Sequence, residues 1–105
     1  MSILVKHFVL EPKVLLTISE LRLEKDEKEK LTEIALLVYH QKLLNKFLDK
    51  LAEADKRIFM EKLLSGPQEE SIEFLHEKIV GIEKVVDEAI FEIETILLAD
   101  IAALK

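Results

Sequence analysis

The sequence predicts an all-α fold, a compact bundle of four to five helices around one long central helix. Three observations point there. Half of the 105 residues are hydrophobic and 34% are charged, a balance suited to helices with one greasy face and one Lys/Glu face. Only two Gly and two Pro punctuate the chain, so its elements are long and its turns few. The stretch Asp26–Leu51 holds neither residue, and its apolar side chains recur at helical spacing. The length fits a single domain spanning residues 1–105, large enough to fold without covalent staples.

The central stretch opens on Asp26 with Glu29 three residues on, the pattern of an N-cap acid and an N3 acid that satisfy orphan N–H groups. At about 100° per residue, Leu31, Ile34, Ala35 and Val38 share one face. Leu36, Leu37, Leu43, Leu44, Phe47, Leu48 and Leu51 lie roughly opposite. An ordinary surface helix keeps one stripe throughout. This one, about 39 Å long at ~1.5 Å per residue, is expected to bury one side of its first half and the other side of its second. Either different neighbours clasp its two ends, or one stripe docks a second chain.

The flanking segments follow in order. Residues 1–11 form a short helix or an extended arm. Ile3, Val5 and Val9 favour a strand, but no later segment offers a strand to pair with, and the arm can lie on the bundle or on a second subunit. Pro12 suits a first helical position and starts a helix over 12–23, with Val14, Ile18 and Leu21 inward and Leu16 and Leu23 on nearly the opposite side. Residues 24–30 are all charged and read as a solvated turn into the helix over 26–51. Asp55 is a plausible cap for a helix over 55–65, with Ile58, Phe59, Met60, Leu63 and Leu64 in one stripe. Gly66 suits a left-handed C′ position and Pro67 a restart. The helix over 67–80 carries Glu69 and Glu70 in its first turn and Ile72, Leu75 and Ile79 on its inner face.

Gly81 breaks the chain before a last helix over 82–104. Ile82, Val86, Ala89, Ile93 and Ile96 repeat with 4-3-4-3 spacing, and Asp100 falls at the next seam position. Glu83, Asp87, Glu88, Glu92 and Glu94 are assigned to its outer side, interrupted by Phe91 and Leu98 a heptad apart. The helix beginning at Pro12 and the last helix are expected beside the first half of the central helix. The helices bearing Phe59 and Leu75 are expected beside its second half.

Composition excludes several function classes. There is no cysteine, hence no disulfide, thiolate metal site or Cys nucleophile. Net charge is −6, distributed unevenly: residues 1–65 carry 12 basic and 11 acidic side chains, residues 66–105 carry 3 and 10. An acidic chain without a basic tract is poorly suited to nucleic acid or to an anionic membrane surface. No apolar run approaches the ~20 residues of a membrane span, and no secretory signal pattern is present. A cytoplasmic location is therefore expected.

Motifs for chemistry are sparse. There is no H-E-x-x-H, no Gly-rich phosphate loop and no G-x-S-x-G elbow, and no cofactor or small-molecule ligand is indicated. Of the three histidines, His7, His40 and His76, only the last has a Glu three residues earlier. Glu73 and His76 thus form one Glu-x-x-His motif, where a di-iron bundle needs two motifs and two further glutamates, so a symmetric dimer would have to complete the site. Tyr39, beside His40 at the stripe changeover, is expected at the bundle edge with its hydroxyl in water.

From about Val14 onward the chain resembles a family of small all-helical proteins of unknown function found mainly in candidate-phylum bacteria. The matching features are the Leu-rich helix Leu31–Leu51, the short helix Asp55–Leu64, the Ser65-Gly66 turn, the Phe74-Leu75 pair and the acidic final helix. Phe74 stands where that family usually has Trp, and the chain lacks its Pro near Val80 or Gly81. The resemblance implies the helical fold and a break near Gly81, and it implies no activity. The leading expectation is a non-enzymatic interaction or scaffold module that self-associates as a dimer or binds another protein. Its surfaces would come from Leu16, Leu23, Phe91, Leu98, Phe8 of the N-terminal arm, or the second stripe of the central helix. The alternatives are a metal-binding bundle using Glu73 and His76, and an acidic adaptor for a basic protein.

Overall fold

A computed structural model describes residues 2–103, which form six helices: α1 (Ile3–Phe8), α2 (Lys13–Ser19), α3 (Lys25–Lys50), α4 (Glu53–Ser65), α5 (Gln68–Lys78) and α6 (Ile82–Ala102). Leu104, the end expected for the last helix, lies outside the described residues. The molecule is elongated, 46 × 25 × 20 Å, because α3 runs unbroken for 26 residues.

The N-terminal segment takes the helical alternative. Ser2 caps α1, its Oγ accepting from the Val5 N–H at 3.3 Å, and α1 buries Leu4 and Val5 against α3 and α5. Pro12 is the N-cap of α2 and not its first residue, so the helix starts at Lys13, one position later than expected. That helix stops at Ser19, whose hydroxyl donates to the Leu16 carbonyl at 2.6 Å and so competes with the backbone ladder. Lys28 then reaches back from α3 to the Ser19 carbonyl at 2.9 Å, a cation at a helix C-terminus. The charged run is therefore the first turns of α3 and not a turn before it. Asp26 sits inside the first turn with Glu27, favoured there by the helix dipole, while Glu24 is the cap and makes no side-chain cap bond.

α3 packs on α6, α1 and α2, whereas α4 packs chiefly on α5. This corrects the expected arrangement: α1 and α6, not α4 and α5, cover the second half of α3, where Lys46 meets Glu92. Phe8 of α1 lies on Phe47, with ring centroids 5.0 Å apart. α4 and α5 form a hairpin through Gly66 and Pro67, spanned by Lys62 and Glu70 at 3.7 Å. Gly66 is extended, not left-handed (φ −100°). A Cβ there would make a tight contact of 3.3 Å with the Lys62 carbonyl oxygen. Gly81 is left-handed, with φ 70°, and it separates α5 from α6. Phe59 and Leu63 are buried on α4, but Ile58 and Leu64 are exposed, so that stripe is narrower than the sequence indicated.

On α6 the buried line is Ile82, Val86, Ala89 and Ile93, continuing through half-buried Leu97 to Ile101. It does not continue to Ile96, which is exposed, and Asp100 is exposed too. Four-residue steps in the second half of α6 rotate the seam away from the strict heptad.

Candidate functional site

Two seams on α3 define the surface and the core of this protein. The inner seam is Ala35, Tyr39, Leu43 and Phe47, closed by Leu51 just past the helix end, and every member is buried. Steps of four residues advance about 40° each, so the seam turns by about 160° along the helix. The apparent changeover of face is this continuous drift, with Tyr39 in its path. The outer seam is Ile34, Leu37, Gln41, Leu44 and Leu48, spaced 3-4-3-4 and opposite Tyr39. Ile34 and Leu37 are 56% and 55% exposed, Gln41 is exposed, and Leu44 and Leu48 are half-buried. Ile34, expected inward with Ala35, is exposed at the rim of a cleft it shares with Ala35, Val14 and Ile101, and also falls on this outer line.

Tyr39 is fully buried, which corrects its expected place in water. Its hydroxyl donates to Glu94 Oε2 at 3.0 Å, and the same oxygen accepts the Lys13 backbone N–H at 3.2 Å. Glu94, expected on the outer side of α6, is thus turned inward and supplies the cap that Pro12 cannot give α2. Burial, the bond to Glu94 and the Glu94 charge push the phenol well above its ordinary range, opposed by the Val14 backbone. A phenol so held is a permanent donor joining α2, α3 and α6, and it is not a base or nucleophile near neutral pH. Beside it, His40 Nδ1 is buried and has no hydrogen-bond partner among the described residues. Glu92, the other acid turned back toward α3, meets Lys46 through both carboxylate oxygens at 3.1 and 3.2 Å.

A second constellation lies where α1 meets α5. His7 Nε2 and His76 Nε2 approach to 3.4 Å. The His7 ring stands edge-on to Phe8, and Phe8 lies 5.8 Å from His76 by ring centroids. Both histidines line an open cleft of about 220 Å³ that also carries Glu83 and Asp87 of α6. Glu73 is exposed one turn before His76, and the neighbour the structure gives His76 is His7. No group of three or more His, Asp or Glu is gathered for a metal ion among the described residues.

The remaining surface candidates divide. Leu16 and Phe91 are exposed, at 63% and 72%. Leu23, Leu98 and Phe8 are half-buried against the chain's own core. Among the described residues no helix is long and apolar enough to cross a membrane. Comparison of the chain with protein-family models, with curated proteins and with solved structures finds no match.

Proposed function

We propose that this protein is a non-enzymatic interaction module that self-associates through the outer seam of α3. The observation that carries this reading is the heptad line Ile34, Leu37, Gln41, Leu44 and Leu48, exposed at its first three positions and half-buried against the core at its last two. Its exposed end is apolar at a place where a solvated helix face is ordinarily charged. Spacing of 3-4-3-4 suits one straight partner helix, and a two-fold dimer requires only that the seam complement itself.

An antiparallel pairing sets the exposed Ile34 and Leu37 of one copy against the half-buried Leu48 and Leu44 of the other. It also opposes the two helix dipoles and keeps the α4–α5 hairpins at opposite ends. Gln41 then sits beside the two-fold axis, where a lone polar seam residue fixes register at some cost in stability. Leu16 and Phe91 lie off this line and are assigned no part in it.

Light scattering coupled to size-exclusion chromatography tests the reading. The wild type is expected at about 24 kDa, twice the chain mass of 12.1 kDa. Leu37→Asp is expected at the monomer mass with unchanged helicity, and Leu16→Asp and Phe91→Asp at the dimer mass. A wild-type monomer at high concentration removes self-association. A dimer that survives Leu37→Asp removes the seam.

A further inference from the structure

We propose that the cleft where α2, α3 and α6 meet binds a small amphiphilic cation, a primary ammonium carried on a short arylalkyl body. The cleft encloses about 230 Å³. Its floor is buried Val14 and Ile18 of α2 with Ala35 of α3, and Ile101 of α6 closes one side. Ile34 and Asp100 are exposed at its rim. The proposal does not rest on self-association.

The hollow has a local cause. Ala35 is the smallest member of the inner seam of α3, so its methyl group fills less of the space between three helices than the larger side chains further along. Apolar walls around a hollow lack dispersion partners, and an apolar ligand body supplies them. A dry apolar cavity of about 150 Å³ holds benzene. The 230 Å³ here therefore suits a phenyl ring with a short alkyl chain.

The rim selects the sign of the head group. Asp100 is charged, and among the described residues no Lys, Arg or His joins it in lining the cleft. It lies in the last turn of α6, which carries no basic residue. The terminal carbonyls of a helix already bear partial negative charge, so an acid there is unfavourable for the helix alone. An ammonium at the rim offsets both, whereas a carboxylate or phosphate is repelled. A free amine is the fitting occupant, because a ring fills the hollow where the unbranched stem of a lysine from a partner protein leaves part of it empty.

Titration of the full chain with phenethylammonium chloride, followed by amide NMR spectra, is expected to give saturable shifts centred on Ala35 and Ile101. Phenethyl alcohol should bind about twofold to fivefold more weakly, the range of an exposed ion pair, and hydrocinnamate more weakly still. Asp100→Asn should lower the ammonium to the level of the alcohol, and Asp100→Lys should reverse the order of ammonium and carboxylate. Asp100 is exposed, so both variants leave the core intact. Leu37→Asp should bind phenethylammonium as the wild type does. Absence of saturable shifts, or a preference unchanged in Asp100→Lys, overturns the assignment. So does binding confined to Leu37→Asp, which would make a second copy the occupant, or equal binding of acetyl-lysine amide, which would favour a partner's lysine.

Discussion

The two seams of α3 are both mainly apolar, yet the inner one is buried throughout and the outer one is exposed from Ile34 to Gln41. The inner seam advances by fours, from Ala35 through Tyr39, Leu43 and Phe47 to Leu51, and so winds around the helix. A winding seam meets several partners in turn, and α2, α6 and α1 cover it within one chain. The outer seam alternates threes and fours from Ile34 to Leu48 and stays in line, drifting only about 20° per heptad. A straight seam suits one long helix, and the chain's other long helix, α6, has its own buried line facing the inner side. The lesson is that spacing, beyond hydrophobicity, separates the stripe a fold consumes from the stripe it leaves over.

Substitutions can break this contrast, and the inner seam gives the largest effect. Phe47 is fully buried under Phe8, so Phe47→Ala should cost ~3–5 kcal/mol of stability in denaturant melts, through lost transfer energy and a cavity. Against a total of ~5–15 kcal/mol for a domain, that leaves the fold marginal or lost. On the outer seam, Leu37→Asp should leave the monomer's stability within about 0.5 kcal/mol, as for an exposed position. It should instead weaken dimerisation about a hundredfold, ~2.7 kcal/mol. Equal unfolding by both variants would erase the distinction.

A smaller effect is expected at Tyr39. Tyr39→Phe keeps the ring and removes the bond to Glu94, at a cost of ~1–2 kcal/mol. The pH dependence has a definite sign. Because the folded phenol is raised above its ordinary value, the unfolded chain loses that proton first, near pH ~10. Above that pH the unfolded state binds fewer protons, so stability present below pH ~10 is lost as pH rises toward the folded value. Alkaline melts of wild type and Tyr39→Phe should therefore converge. A gap that widens with pH would contradict the assigned bond. Gly81→Ala is expected to cost a similar amount. The added Cβ meets nothing within 4 Å, so only the left-handed φ of 70° opposes it, at ~1–2 kcal/mol.

Much of the architecture was legible in the sequence. Val14, Ile18 and Leu21, then Ile72, Leu75 and Ile79, are buried where helical spacing put them, and Gly81 breaks the chain. What escaped was partnership across the fold. Tyr39 reads as an edge residue because its acceptor, Glu94, is fifty-five positions away and looks like one more surface acid. His7 and His76 share no local pattern, and only docking of α1 on α5 joins them. Ile34 was misplaced for a different reason. It is one residue from Ala35 and close to the first stripe in angle, and only the 3-4-3-4 line through Leu37 and Gln41 reveals its side. Helix starts erred where caps looked conventional, at Asp26 and Asp55, because α3 and α4 begin at least one residue earlier without side-chain caps.

The outer seam can be tested in place because the chain has no cysteine. A Gln41→Cys variant treated with a short bis-maleimide should crosslink to about 24 kDa, twice the 12.1 kDa chain. The yield should collapse when Leu37→Asp is added, and Leu16→Cys and Phe91→Cys should stay uncrosslinked. Failure of Gln41→Cys to crosslink while Leu16→Cys or Phe91→Cys does so efficiently would contradict pairing through α3.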